Sequence, residues 1–175
     1  MAKTFLIDLT PSESEIFKGL KRELRQNIYR GDKTLVLVTL DYSVYFHLVK
    51  AYRKTKGLIT RDIILSDVEY YAAKIGDDLV NGQGIYPLND SIVEVGIWRI
   101  KSAPYYAGDW LKWQMILLAK RKGKRFYDFA GNNGYYKEKW GGFIGENELP
   151  EPKRCIMSYL LRPIHRFLVK NGILK

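Results

Sequence analysis

Residues 109–123, DWLKWQMILLAKRKG, read as a helix with almost no polar side, because Trp110, Leu111, Trp113, Met115, Ile116, Leu117 and Leu118 run all round it. A helix that is apolar on nearly every face has to be packed on more than one side, so it belongs at the centre of the fold. Asp109 is the expected N-cap and Gly123 the residue just past the C-terminal end.

The segments on either side supply strands to pack against it. Residues 85–108 are β-rich, with turn candidates at 89–90 and 101–102 and with SIVEVGIWRI as the longest strand. RFYDFA (125–130) is the next strand, and TFLIDL (4–9) alternates as a first one. Thr10, Pro11 and Glu13 then open a helix as N-cap, first-turn proline and capping-box partner. Ile16, Leu20, Leu24 and Ile28 form its stripe, and Gly31 ends it. TLVLVTL (34–40) is a strand, and Asp41 caps a helix that stops at Gly57. SDVEYYAAKIGDD (66–78) reads as a third helix, capped by Ser66 or Asp67. A short helix fits within NNGYYKEKWGG, FIGENEL leads on, and a last amphipathic helix at 156–170 carries Ile156, Leu160, Ile164 and Leu168. No repeat, low-complexity tract or linker interrupts the 175 residues. The expectation is one α/β domain of mixed order (α+β), spanning 1–175.

Composition narrows the function classes. Aromatics make up 14% of the chain and apolar residues 46%, too many for a disordered segment. The net charge of +10 attracts anions such as nucleic acid, phosphorylated cofactors or anionic membranes. The basic residues are spread over 18–30, 50–56, 120–125 and 137–139 rather than gathered in a tail. The one cysteine, Cys155, cannot form an internal disulfide and reads as a small buried residue. The absence of a signal-peptide core or a membrane-length apolar run leads us to expect a cytoplasmic protein. His47 and His165 are the only histidines and have no acidic cluster beside them, which speaks against a His-based metal site or a Ser-His-Asp triad.

Three places carry candidate chemistry. In YYAGDWLKW, Tyr106 and Gly108 stand at a strand-to-helix junction whose free N–H groups could cradle a phosphate, although Asp109 would repel one. On the first helix Lys21 and Arg25 lie four residues apart and could meet phosphates, or simply face solvent. Asn27, at the edge of the apolar stripe, is expected to satisfy buried backbone. The third place is YDFAGNNGYYKEKWGG (127–142). Asp128 sits in an apolar strand and needs a partner or a job. Lys137 lies among aromatics, where desolvation, a cation–π contact or a ligand awaits it. Gly131, Gly141 and Gly142 suit a backbone that bends near a ligand.

These same stretches resemble a known family. FLIDLTPSESEIFKGLKRELRQNIYRGDK (5–33) resembles the segment that opens the second half of Fem-type peptidoglycan-bridge aminoacyltransferases. LKWQMILLAKRKGKRFYDFAG (111–131) is similar to that family's helix-plus-strand core, and GYYKEKWGGF (134–143) to its Phe-Lys-x-x-Phe-Gly-Gly signature. The resemblance implies a GNAT-like N-acyltransferase fold, with a mixed, splayed sheet flanked by helices around the central one. It implies transfer of an acyl or aminoacyl group to an amine, from aminoacyl-tRNA or from acyl-CoA such as acetyl-CoA, without a metal. The acceptor it suggests is an anionic cell-wall precursor. Lys137 matches the motif lysine beside the reacting carbonyl, Tyr136 the aromatic before it, and Asp128 the strand aspartate. On this reading Lys137, Asp128, Tyr136 and Tyr127 are catalytic. Tyr106, Gly108, Gly131, Trp140 and Gly141 bind the donor. Lys21, Arg25 and Asn27 bind phosphate or acceptor. Fem-type enzymes carry two such domains and this chain has one, so a homodimer would be needed to rebuild the cleft between them. The competing reading is a non-catalytic module of the same fold that binds RNA through its basic, Tyr-rich surface.

Overall fold

The computed structural model describes residues 2–57, 67–130 and 137–147. In chain order these form β1 (Ala2–Asp8), α1 (Glu13–Gly19), α2 (Arg22–Asp32), β2 (Val36–Leu40), α3 (Tyr42–Thr55), β3 (Glu69–Ile75), β4 (Asp78–Pro87), β5 (Ser91–Arg99), α4 (Ala107–Arg121), β6 (Phe126–Asp128), a 3-10 helix (Lys137–Trp140) and β7 (Phe143–Asn147). The expected helix at 156–170, together with Cys155, His165, Gly131 and Tyr136, lies outside the described residues.

The seven strands make one mixed sheet in the order β2-β3-β4-β5-β6-β1-β7. Every neighbouring pair is antiparallel except β5 and β6, which run parallel because α4 crosses over between them. That pairing covers only Ser91 to Val93 on β5, which then continues to Arg99 without β6. The sheet therefore splays after Val93 and Asp128, as expected for this fold class.

The all-round apolar helix is central. Trp110, Leu111, Trp113, Met115, Ile116 and Ala119 are buried, and α4 packs against α2 as well as β3, β4, β5 and β6. On the other sheet face, Tyr45 and Val49 of α3 form a second core with Ala72 and Trp98.

Several boundaries differ from the sequence reading. The first helix is two helices. Its N-cap is Ser12 rather than Thr10, in a capping box with Glu15 rather than Glu13, because the Thr10 N–H is already bonded to Asp8 Oδ1 (2.9 Å). The chain breaks at Leu20, where extended backbone buries the leucine. Gly31 does not end α2. It lies within the helix against Trp110, and a Cβ there would sit inside the van der Waals envelope of the indole. Gly31→Ala should therefore destabilise the fold by about 1–3 kcal/mol, the usual overpacking cost, despite alanine's better helix propensity. Chemical denaturation checks this, and an unchanged midpoint would count against the packing.

Residues 67–78 do not form the expected helix. Asp67 has φ 71°, and β3 begins at Glu69. The strand alternates between two cores: Tyr71 and Ala73 face the α4 side, while Ala72 and Tyr70 face α3. A strand buried on both faces shows no polar alternation, so the period of two that marks a strand is missing here. Asp109 is likewise not the N-cap of α4. Tyr106 holds that position, and Asp109 falls in the first turn.

Candidate active site

The chemistry gathers where β5 and β6 part. Glu94 is the first residue of β5 past the paired segment, and alternation from Ile92 turns it to the α4 side of the sheet. There it forms an ion pair with Lys112 of α4. Both are nearly buried, at 6% and 5% exposure. A buried charge pair is kept only when each partner satisfies the other.

Phe129, just past β6, joins a second ammonium to this pair. The Lys112 Nζ stands 4.5 Å from the Phe129 ring centroid and the Lys137 Nζ 5.9 Å from it. Lys137 also donates a hydrogen bond to the Phe129 carbonyl oxygen (3.1 Å) and is 6% exposed. Burial is the main cause that holds its pKa below the ordinary lysine value, and the neighbouring Lys112 adds to it. Glu94 and Asp128 pull the other way without reversing the shift.

The backbone turn that allows this is local. The Asp128 carboxylate accepts from the Ala130 N–H (2.7 Å), which closes an Asx turn with Ala130 at φ 52°. Asp128 also accepts from the Thr4 hydroxyl and from Asn147 Nδ2 (2.7 Å). Asp128 is thus a fully buried anchor that ties β6 to β1 and β7. Tyr127, its neighbour on the strand, points to the opposite face, where its hydroxyl accepts from Gln83 Nε2 (2.7 Å).

The glycine turn after Lys137 packs against protein. Trp140 is buried, with its ring 5.8 Å from Phe129, and its indole N–H has no hydrogen-bond partner among the described residues. Gly141 has φ 70° and lies beside the Gly19 carbonyl, and a Cβ on Gly142 would overlap the Leu6 carbonyl. These glycines let the 3-10 helix dock between the end of α1 and β1.

The remaining candidates surround the start of α2 and α4. Lys21 is exposed, and its backbone N–H donates to the Lys139 carbonyl (3.1 Å). Arg25 donates to the Lys18 carbonyl (2.8 Å), closing the end of α1. Asn27 does not satisfy backbone as expected. Its amide donates to the Asp109 carboxylate (2.7 Å). Burial raises the Asp109 pKa, against the lowering effects of Asn27 and nearby lysines. Tyr106 meets the Thr34 hydroxyl (3.0 Å), and Gly108 lies against Asn81, one helical turn before Lys112.

The fold thus brings Lys137, Asp128, Trp140 and Gly141 to one end of β6, together with two charged residues that sequence reasoning missed. The signal for Glu94 and Lys112 was present: opposite charges inside two segments otherwise apolar, where each demanded a partner. Two surface cavities, of about 540 and 330 Å³, lie elsewhere and are not lined by Lys137. Among the described residues no group of three or more His, Cys, Asp or Glu side chains is placed to hold a metal, and no helix is long and apolar enough to cross a membrane.

No family model and no curated protein matches the sequence. Solved structures do match in fold. FemX superposes with a TM-score of 0.72 at 12% identity, over 83% of this chain and 60% of that one. The C-terminal domain (DUF2156) of a putative lysylphosphatidylglycerol synthetase from Agrobacterium fabrum gives 0.61 at 11% identity, over 82% and 57%. L-PGS from Bacillus licheniformis gives 0.60 at 14%, with the same coverage. The chain spans between 57% and 60% of these matched chains. Such identities speak for architecture alone, and the architecture is the fold that FemX shows over most of this chain.

Proposed function

We propose that this chain is an acyltransferase that moves an acyl or aminoacyl group from an activated donor, acyl-CoA or aminoacyl-tRNA, to an amine. The observation that carries the reading is Lys137, a largely buried ammonium that already donates to a carbonyl oxygen. In the reaction the amine nitrogen attacks the donor carbonyl carbon. The carbonyl π pair moves to oxygen, and Lys137 donates to that oxyanion in place of its bond to Phe129. The tetrahedral centre then collapses, expelling the thiolate or the ribose alkoxide, which takes up the proton lost by the amine. An aimed donor in a dry site stabilises the oxyanion far more than water does, since it needs no reorganisation.

Lys112 adds a second positive charge nearby, and Glu94 keeps the pair of ammoniums from repelling each other out of place. Asp128 acts through position, fixing the turn that presents the Phe129 carbonyl and Lys137. Lys21, exposed beside the 3-10 helix, is the side chain suited to a donor or acceptor phosphate. The synthetase name borne by one fold relative favours an aminoacyl group as the unit transferred. On this reading the chain acts as one domain on an anionic cell-envelope precursor, with a second copy completing the acceptor cleft.

Titrating acetyl-CoA and a charged tRNA separately against the protein tests the donor. Saturable binding of one and not the other assigns its class, and binding of neither would sink the proposal. A second reading, RNA binding without catalysis, rests on exposed Tyr29 and on exposed Tyr105 with Arg30 over its ring (5.5 Å). Salt-sensitive RNA binding with no amide product would favour it.

A further inference from the structure

The smaller cavity opens at the far end of the sheet, where β2 runs into α3 beside the start of β3. Asp41, Tyr42, Glu69, Tyr70 and Tyr71 line it. Its composition runs against the rest of the molecule: two carboxylates and three phenol rings in a chain of net charge +10.

The groups on the α3 side of the sheet are arranged for positive charge. Tyr42 and Tyr70 meet at 5.8 Å with their planes tilted by 49°, and Phe46 stacks behind Tyr42 at 5.7 Å. Two tilted, half-buried rings present a corner of negative ring faces, which attracts an ammonium and shuns an anion. Asp41 occupies the N-cap position of α3, yet its side chain makes no capping bond, so its carboxylate is not consumed by the helix. The helix end contributes roughly half a positive charge, less than the full negative charge of Asp41. Glu69 lies with Tyr71 on the α4 side of the sheet, where its carboxylate takes the Lys122 ammonium at 2.6 Å and the Tyr71 hydroxyl at 2.5 Å, so it stands apart from the two rings. Burial alone would raise the Glu69 pKa, but these two bonds outweigh it and keep the group ionised.

We infer that this cavity is a binding site for an N-alkylated ammonium group, held by the Tyr42 and Tyr70 faces and the Asp41 carboxylate. Rings and apolar lining favour an alkylated nitrogen over a hydrated metal cation, which would have to shed water it binds strongly. A volume of about 330 Å³ suits a head group of that size. The site lies away from Lys137 and does not depend on the transferase reading.

Tetramethylammonium chloride is the probe, titrated against the whole chain at ionic strength held constant with sodium chloride. Amide shifts of 41–45 and 69–71 are read by NMR. The inference expects saturation in the millimolar range, with affinity lowered about 3- to 10-fold in Asp41→Asn and in Tyr42→Phe/Asp41→Asn, and further in Tyr42→Ala. Phosphatidylcholine vesicles form a second arm: a response of the same amides, lost in Tyr42→Ala, supports the site and assigns its ammonium to a lipid. Shifts that grow linearly and match sodium chloride would overturn the inference, as would binding unaltered in both Asp41→Asn and Tyr42→Ala with the fold intact.

Discussion

Glu94→Ala should lower the unfolding free energy by about 3–5 kcal/mol, the cost of leaving one partner of a buried ion pair without the other. Lys112 would remain at 5% exposure without the Glu94 carboxylate, close to the Phe129 ring and to a second ammonium on Lys137. The double variant Glu94→Leu/Lys112→Met should recover most of that loss, because apolar groups of similar volume need no partner. Urea unfolding of Glu94→Leu, of Lys112→Met and of the double variant measures the coupling directly. Additive losses would mean that the two side chains do not depend on each other.

Lys137→Met should reduce turnover about 10²–10³-fold, the usual loss when one oxyanion donor is removed. Methionine keeps the length and apolar stem of the side chain, so thermal unfolding should change far less than activity. Lys137 acts as an ammonium, so transfer should fall as pH rises through its pKa, which burial holds below the ordinary lysine value. Glu94 raises that pKa. Glu94→Gln should therefore move the alkaline fall in rate to lower pH, whereas a residue with a purely structural role would leave the fall where it was.

How much of this was legible beforehand depended on whether a segment answers to one neighbour or several. The central helix was readable because an all-round apolar surface has only one physical remedy, burial on every side. Lys137 stood out for the same kind of reason, as a charge set among rings. By contrast, β3 read as a helix because Tyr-Tyr-Ala-Ala serves two cores at once and loses the alternation that marks a strand. Gly31 looked like a helix end because its true partner, Trp110, is distant in sequence. Glu94 and Lys112 each looked like an isolated polar residue in apolar surroundings. Only the crossover from β5 through α4 brings them together. Local spacing likewise could not show that Arg25 closes α1 or that Asn27 reaches Asp109.

The central claim is that an amide forms at Lys137. Radiolabelled acetyl-CoA and radiolabelled lysyl-tRNA, each incubated with the protein and a panel of primary amines, test it most directly. The account predicts an alkali-stable labelled amide from one donor, formed by the wild type and reduced at least 100-fold in folded Lys137→Met. No amide from either donor, or equal yields from both proteins, would contradict it.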